Sequence, residues 1–400
     1  MNFEPRRAGR VHNTKPQSKQ MILAILLIIQ AIYSSLSFSF FPTYKYYARY
    51  QSLKMVQQER QELVKCLKRE YSSFFNPMEK KFYENDVSFL DPIIKIDGIE
   101  NYKRNVDMLA GRNTLGSILF KDAAIILHNF EDLSDGRLMT RWTLRVTAKL
   151  IPWKPTARFT GVSIYSLSKS GKILRQEDYW DSVNLRNGEY VPVAQIDGVL
   201  DFLTQLQDKS GAEMSAPELP YELLRRAKTY EVRRYPAYLG IETEYDQRPE
   251  GYDRLNFYCK GSNTEGNANI PYYSPTIMEV EDTATTRSKK MTWPLLFAAP
   301  GTSPSDMKLP EPSNQNIRLV ERSAQIVAVA TFQVPATEAN VRGYSNQLKR
   351  DVERDGIKLS TSYPVDTLNK FTVCQYDALF SLNKRRNEVW LEVGLHPWGS

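Results

Sequence analysis

Apolar positions recur at helical spacing from residue 61: Val64, Leu67, Tyr71, Phe74 and Phe75 follow Leu63. That stripe predicts an amphipathic helix over residues 61–75, ended by Asn76-Pro77. Residues 86–90 read as a short strand, Asp91-Pro92 as a turn, and Tyr102, Val106 and Leu109 as a second helix closed by Gly111. The period then changes. Residues 117–130, 138–151, 157–166 and 172–181 are rich in Val, Ile, Thr and aromatics and are separated by turn-forming segments at 134–136, 152–155 and 170–171. They predict four strands, and helices followed by an antiparallel sheet make an α+β domain.

Residues 210–220 are small, polar and proline-containing, the composition of a linker. Beyond them, residues 230–244 alternate in part and contain Pro236, which suggests an edge or a bulge. Further β-rich runs are 316–320, 325–332, 370–376 and 388–393. One clear helix lies among them: Thr337 can cap it, Val341, Tyr344, Leu348 and Val352 form its stripe, and Gly356 can end it.

The N-terminus has a different character. Residues 1–20 are polar and basic, residues 21–32 are apolar except for Gln30, and Ser35-Leu36-Ser37 offers small residues where signal peptidase requires them. This is a signal-peptide layout, and the apolar run is short of the roughly 20 residues that span a bilayer. A permanent membrane anchor is the alternative reading, kept open by the long basic leader. Cleavage after Ser37 exposes Phe38, followed to residue 60 by a stretch rich in Tyr, Ser, Lys, Arg and Gln. The arrangement resembles the bipartite presequences of algae with complex plastids. No Asn-x-Ser/Thr sequon occurs in the chain. The expected location is a plastid, with secretion as the alternative. The organisation expected is therefore a signal peptide at 1–37, a transit-like segment at 38–60, a first domain at 61–208, a linker at 209–219, a second domain at 220–393 and a tail at 394–400.

The net charge of +7 invites a nucleic-acid reading, but its distribution removes that partner. The first sixty residues hold nine Lys/Arg and two acids, which is the whole excess; the remaining chain carries 44 of each sign. Cys66, Cys259 and Cys374 lie far apart with no CxxC spacing, so neither a disulfide framework nor a zinc site is indicated. With His12, His128 and His396 as its only histidines, the chain has no multi-histidine metal site within a domain. With 42% hydrophobic residues, of which aromatics are a generous share, the composition is that of a folded protein.

Several phrases carry family resemblances. Residues 82–92 (from Phe82-Tyr83-Glu84 to Leu90-Asp91-Pro92), Tyr102-Lys103-Arg104-Asn105, Arg141-Trp142-Thr143-Leu144, Pro152-Trp153-Lys154-Pro155 and Glu177-Asp178-Tyr179-Trp180 make the first domain similar to the SnoaL-like, or nuclear-transport-factor-like, cone of plant and algal proteins. The second domain resembles the SOUL/heme-binding-protein family. That resemblance rests on Tyr230-Glu231-Val232-Arg233-Arg234-Tyr235, Arg254-Leu255, Gly261-Ser262-Asn263, Met291-Thr292-Trp293-Pro294, Leu309-Pro310-Glu311-Pro312, residues 327–332, Gln375-Tyr376 and Arg385-Arg386-Asn387-Glu388-Val389-Trp390. One departure is Tyr272-Tyr273-Ser274-Pro275-Thr276, where the family usually has a Met-Thr-x-Pro-Val phrase; it is expected on the far side of the fold.

The resemblances imply an α+β chain, a SnoaL-like cone followed by a SOUL-type distorted β-barrel with flanking helices. They imply non-enzymatic binding of heme or another tetrapyrrole in a hydrophobic groove, as carrier, buffer or scavenger. A porphyrin needs an apolar slot, cations for its propionates and, for tight iron binding, an axial ligand. Candidate propionate partners are Arg254, Lys349 and Lys358; Cys259 and Met291 are candidate iron ligands, although each is more simply a core residue. Arg385 and Arg386 read as structural, and His396 as an unconstrained tail residue. Binding without a strong axial ligand is expected. The alternative is an isomerase- or cyclase-type enzyme in the first domain, with Asp91, His128 and Asp178 as the pocket residues. Turn chemistry explains Asp91 equally well, and core packing explains His128. A peripheral membrane contact, the remaining partner reading, needs an exposed apolar patch.

Overall fold

A computed structural model describes residues 42–207, 216–282, 285–298, 307–360, 370–376, 386–396 and 398, with side chains from residue 57. The signal-peptide residues, most of the linker and Arg385 lie outside the described residues. No helix among the described residues is long and apolar enough to cross a membrane.

Helix α1 (Pro42–Ser72) begins well before the position its apolar stripe suggests. The polar turns upstream contain no Gly or Pro after Pro42, so nothing in them stops the helix. The chain from Lys65 onward is one compact unit. It continues with β1 (Tyr83–Leu90), β2 (Lys95–Asp97), α2 (Ile99–Leu109), α3 (Thr114–Leu119), β3 (Phe120–Asp132), β4 (Leu138–Ala148), β5 (Thr156–Leu167) and β6 (Ile173–Trp180). Then follow the single turn α4 (Asp181–Asn184), the small pair β7 (Leu185–Arg186) and β8 (Glu189–Tyr190), and α5 (Gln195–Gln207). Residues 117–119, expected in the first long strand, are helical instead, because the Asn113 side chain caps α3 by accepting from the Gly116 N–H.

The sheet runs β2-β1-β6-β5-β4-β3. It is antiparallel throughout except where β1 lies parallel to β6. Its inner face packs on α1 and α2 through Tyr71, Phe75, Phe89 and Tyr102, with Phe89 and Tyr102 stacked at 4.8 Å. Helix α5 closes the far end of the same face: Phe159 meets Phe202, and Gly198 sits so close to the Asp91-Pro92 turn that a Cβ there would lie 2.2 Å from the Pro92 carbonyl oxygen. The outer face is buried as well, since the Thr143 hydroxyl donates to the Leu223 carbonyl and the Thr160 hydroxyl accepts from the Arg226 N–H, each at 2.7 Å. A sheet covered on both sides explains why β5 is buried continuously from Phe159 to Ser163.

The second sheet is built from β9 (Glu222–Arg226), β10 (Glu231–Tyr235), β11 (Tyr238–Glu244), β12 (Thr276–Asp282), β13 (Arg287–Phe297), β14 (Ile317–Arg322), β15 (Gln325–Phe332), β16 (Lys358–Leu359), β17 (Lys370–Gln375) and β18 (Asn387–Leu395). Its order is β14-β11-β13-β12-β17-β18-β15-β10-β9, with β16 on β18, and it curls as a half-barrel. The run at 230–244 is divided at Pro236-Ala237 into β10 and β11, as a proline that cannot donate to a ladder requires.

Two helices flank this sheet, α6 (Arg248–Cys259) and α7 (Glu338–Arg354). Helix α7 matches expectation in detail: Thr337 Oγ1 accepts from the Asn340 N–H, and Gly356 adopts φ +80°. Helix α6 escaped the periodicity reading because its buried stripe is Gly251, Leu255, Tyr258 and Cys259, and a glycine contributes no apolar signal. Gly251 lies against the methionine tip, where a Cβ would come within 2.9 Å of Met291 Cε and oblige that side chain to shift.

The helix-facing core holds Ile241, Leu255, Met291, Trp293, Leu348 and Leu391. The other face carries Tyr235, Tyr238, Val329, Cys374 and Trp390 around a buried ionic network. Glu388, fully buried, accepts from Arg233 at 3.1 Å through each oxygen, from Arg386 at 2.9 Å, from the Tyr376 hydroxyl at 2.8 Å and from Trp390 Nε1 at 2.9 Å. Three separate phrases of the SOUL resemblance, at 230–235, 375–376 and 385–390, converge here, so their specificity serves the fold. The mixed architecture, an α+β domain before a curled half-barrel, is the one the sequence implied.

Candidate functional site

Two concavities lie at the β14-β11-β13 edge, and strand alternation assigns them to opposite faces. On one face, Glu242 is held by Arg318, Arg322 and the Thr292 hydroxyl in a polar cleft of about 270 Å³. That cleft is too small and too charged for a flat apolar ring. On the helix face, a groove of about 730 Å³ has Leu239, Leu296 and Leu319 as its floor. Register places these three side by side, Leu239 opposite Leu296 and Ile241 opposite Leu319. The volume falls in the range of small-molecule sites.

The groove's walls come from two loops. After α6, Asn263, nearly fully buried, accepts from the Glu265 and Asn267 N–H groups and donates to the Asn267 carbonyl at 2.8 Å, which shapes residues 265–271. Opposite, residues 307–311 are tied down by the Tyr258 hydroxyl, which donates to the Pro310 carbonyl at 2.7 Å, and by the Thr264 N–H, which donates to the Glu311 carbonyl at 2.9 Å. The phrases Gly261-Ser262-Asn263 and Leu309-Pro310-Glu311-Pro312 are thus the groove-building part of the resemblance. The departing segment at 272–276 adjoins this groove instead of lying on the far side: Pro271 lines it, and Tyr272 stacks on Trp293 at 4.2 Å directly behind.

None of the five expected ligand residues is among those lining the groove. Met291 is fully buried in the helix-facing core, where its Cε packs beside Gly251 of α6. Cys259 is buried too, and desolvation pushes its thiol up to about 12, so no thiolate is offered. Arg254 donates to the Glu244 carbonyl at 2.7 Å and pairs with Glu250 one helical turn away. Lys349 lies on α7 and Lys358 on β16. The sequence reading selected them for helix or strand position, but the groove is made by loops whose shape depends on hydrogen bonds. Met307 and Lys308, which it did not single out, line the groove instead. The only available signal was their place just before the Leu309-Pro310 phrase.

In the first domain, the structure brings Asp91 and Asp178 together and separates both from His128. Asp178 pairs in register with Ser163 on the inner face of the sheet and accepts from Gln176 Nε2 at 2.9 Å. Beneath it runs a network in which the Tyr71 hydroxyl meets Thr140, Ser163 and Tyr165, Trp142 Nε1 donates to Ser163, and the Tyr102 hydroxyl donates to Gln176. Desolvation raises Asp178 to about 7; hydrogen bonds from Ser163 and Gln176 oppose this, and the charge of Asp91 adds to it. Asp91 is raised by burial to about 6, although its Oδ1 accepts from the Ile93 and Ile94 N–H groups in the turn role expected of it.

His128 lies on the outer face. Its Nε2 contacts the Thr143 hydroxyl at 2.7 Å and its Nδ1 lies 3.2 Å from Glu222 of β9. A catalytic constellation of His128 with the two aspartates is therefore excluded by the sheet's alternation.

The tail also departs from expectation. Trp398 is buried, between the guanidiniums of Arg141 at 4.7 Å and Arg225 at 4.5 Å, with His396 stacked on it at 5.2 Å. An exposed apolar stripe, Ile196, Leu200 and Leu203, runs along α5 at helical spacing. No cluster of metal-ligating side chains occurs among the described residues.

Comparison with known proteins follows this division. Residues 61–176 match the model of an uncharacterized conserved protein family, DUF2358. Among solved structures, an NTF2-like protein of unknown function from Exiguobacterium sp. 255-15 is 18% identical, covering 29% of this chain and 98% of its own, with a TM-score of 0.23. An LEH-like epoxide hydrolase of M. tuberculosis is 13% identical over 37% of this chain and 92% of its own, TM-score 0.25. A hydrolase from Listeria innocua is 13% identical over 45% and 94%, TM-score 0.28. Such likenesses assign no activity to this chain. No curated protein matches it. Residues 216–392 match the model of the SOUL heme-binding protein family, and the second domain of this chain belongs to that family.

Proposed function

We propose that the second domain binds a tetrapyrrole macrocycle in the groove over Leu239, Leu296 and Leu319 and holds it without transforming it, as carrier, buffer or scavenger. The observation that carries this reading is the groove itself, an apolar floor of ring-sized extent walled by two phrases of a heme-binding family. Its volume of about 730 Å³ admits a macrocycle, while its lining offers iron little. Met307 supplies the one thioether, and no His, Cys or Tyr is among the described lining residues. Titrating hemin and protoporphyrin IX separately into the full chain, followed by the Soret band and tryptophan quenching, tests it. Saturation near one equivalent is expected; an unchanged spectrum with both overturns the assignment.

The presequence reading of residues 1–60 assigns this binding to a plastid. Its support is the apolar run followed by Phe38 and an acid-poor stretch. A fluorescent fusion of residues 1–60 found only in the endoplasmic reticulum or the medium refutes it.

Asp178 favours a second reading, an isomerase- or cyclase-type site in the first domain. A carboxyl raised to about 7 above a fixed hydroxyl network is a suitable general base or acid near neutrality. Carboxyl-carbon NMR showing Asp178 titrating in the ordinary aspartate range sinks it.

A further inference from the structure

Resting on the groove reading above, the geometry points to a ranking within that ligand class: we infer that the groove prefers tetrapyrroles with fewer free carboxylates, an esterified macrocycle over a doubly acidic one.

The argument is the charge around the rim. Glu265, Glu311 and Glu321 line the groove and are exposed, and Lys308 is the one cation among the described lining residues. None of the three glutamates is in an ion pair among the described residues; Glu265 and Glu311 line the groove alone, while Glu321 lines both the groove and the neighbouring cleft of Arg318 and Arg322. Asn267 and Asn269 complete the rim without charge.

The nearest arginines are withdrawn by the fold. Along β14, side chains alternate: Leu319 and Glu321 face the groove, while Arg318 and Arg322 face the other way and close on Glu242, which is 1% exposed. Leaving Glu242 to serve a ligand strips a buried carboxylate of its partners, which is strongly unfavourable. Arg254 is likewise committed, to Glu250 and the Glu244 carbonyl.

A macrocycle lying on the leucine floor therefore presents its polar edge to three carboxylates and one ammonium. Two propionates there meet net repulsion, whereas an ester meets none. Because the rim is solvated, the discrimination is modest, about threefold for each added carboxylate at low salt, and it shrinks as salt screens it.

The test titrates the full chain at low salt with four probes in the same cosolvent: chlorin e6 with three carboxylates, protoporphyrin IX with two, pheophorbide a with one, and protoporphyrin IX dimethyl ester with none. Affinity is expected to rise as carboxylates are removed. The variant carrying Glu265→Gln, Glu311→Gln and Glu321→Gln is expected to compress that spread, which separates charge from the greater apolarity of the esters. Leu319→Asp, with its thermal transition checked, is expected to weaken all four probes.

Protoporphyrin IX binding at least as tightly as pheophorbide a overturns the inference while leaving the groove reading intact. An unchanged spread in the triple glutamine variant does the same. Failure of all four probes overturns both.

Discussion

The guanidinium of Arg141 lies 4.7 Å from the ring centre of Trp398, joining the middle of the first sheet to the last described residue of the chain. Arg141 is 2% exposed, makes a two-bond pair with Asp181 and donates to the Leu224 carbonyl of β9 at 2.7 Å. The tail therefore closes a polar junction between the two sheets. Asp181 is fully ionised there, held below its ordinary range by Arg141 against a large cost of burial.

Trp398→Ala is expected to destabilise the protein by about 2 kcal/mol, through the lost ring and two lost cation–π contacts. Hydrogen exchange should accelerate first in β9 and the outer face of β4. Unchanged exchange there would show that the tail merely rests on the junction.

Glu388→Ala is expected to cost about 3–5 kcal/mol, because it leaves Arg233, 3% exposed, without its buried partner. The arginines hold the Glu388 carboxyl at about 2, below its ordinary 4.5. Its contribution is therefore complete above about pH 4.5 and lost as pH falls toward 2. Acid unfolding followed by circular dichroism should show this limb in the native protein and lose it in the variant.

For Asp178 the sign is opposite. Its carboxyl is raised from 3.8 to about 7, so the folded state holds a proton that the unfolded state releases, and stability falls as pH rises between these values. Asp178→Asn should match the native protein near pH 4 and exceed its stability by roughly 4 kcal/mol at pH 8, read by urea denaturation. Equal stability at both pH values would place the carboxyl in ordinary solvent.

Tyr258→Phe removes the hydroxyl that anchors the Pro310 carbonyl to α6. The loss is about 1 kcal/mol of stability and a few-fold weaker binding of a porphyrin probe, since one groove wall loosens while the leucine floor remains. An unaltered dissociation constant would remove this wall from the site.

How far the site was legible depended on which force made each part. Helix α7 announced itself through its stripe, its threonine cap and its terminal glycine, all local features. β15 occupies the expected 325–332 and β5 lies within one residue of 157–166, whereas β4 starts at Leu138 as expected but stops at Ala148, short of 151. Helix α5 was missed because its apolar residues run around the cylinder, with Val199 and Phe202 toward the protein and Ile196, Leu200 and Leu203 toward solvent. Asp91 and Asp178 were named from sequence, and the structure joins them. His128 was named with them, and alternation sends it to the opposite face.

By itself the sequence determined the α+β class, a cone followed by a SOUL-type half-barrel, and the confinement of excess positive charge to the N-terminal sixty residues. These are properties of local spacing, composition and matched phrases, which survive without knowledge of the fold. Only the tertiary structure decided that the most specific phrases build a buried ionic network, that the groove is lined by Met307 and Lys308 in place of Arg254 and Lys349, and that its rim is acidic. Each of those depends on which face a strand turns outward and which loop a distant hydroxyl holds, and no short-range pattern encodes either.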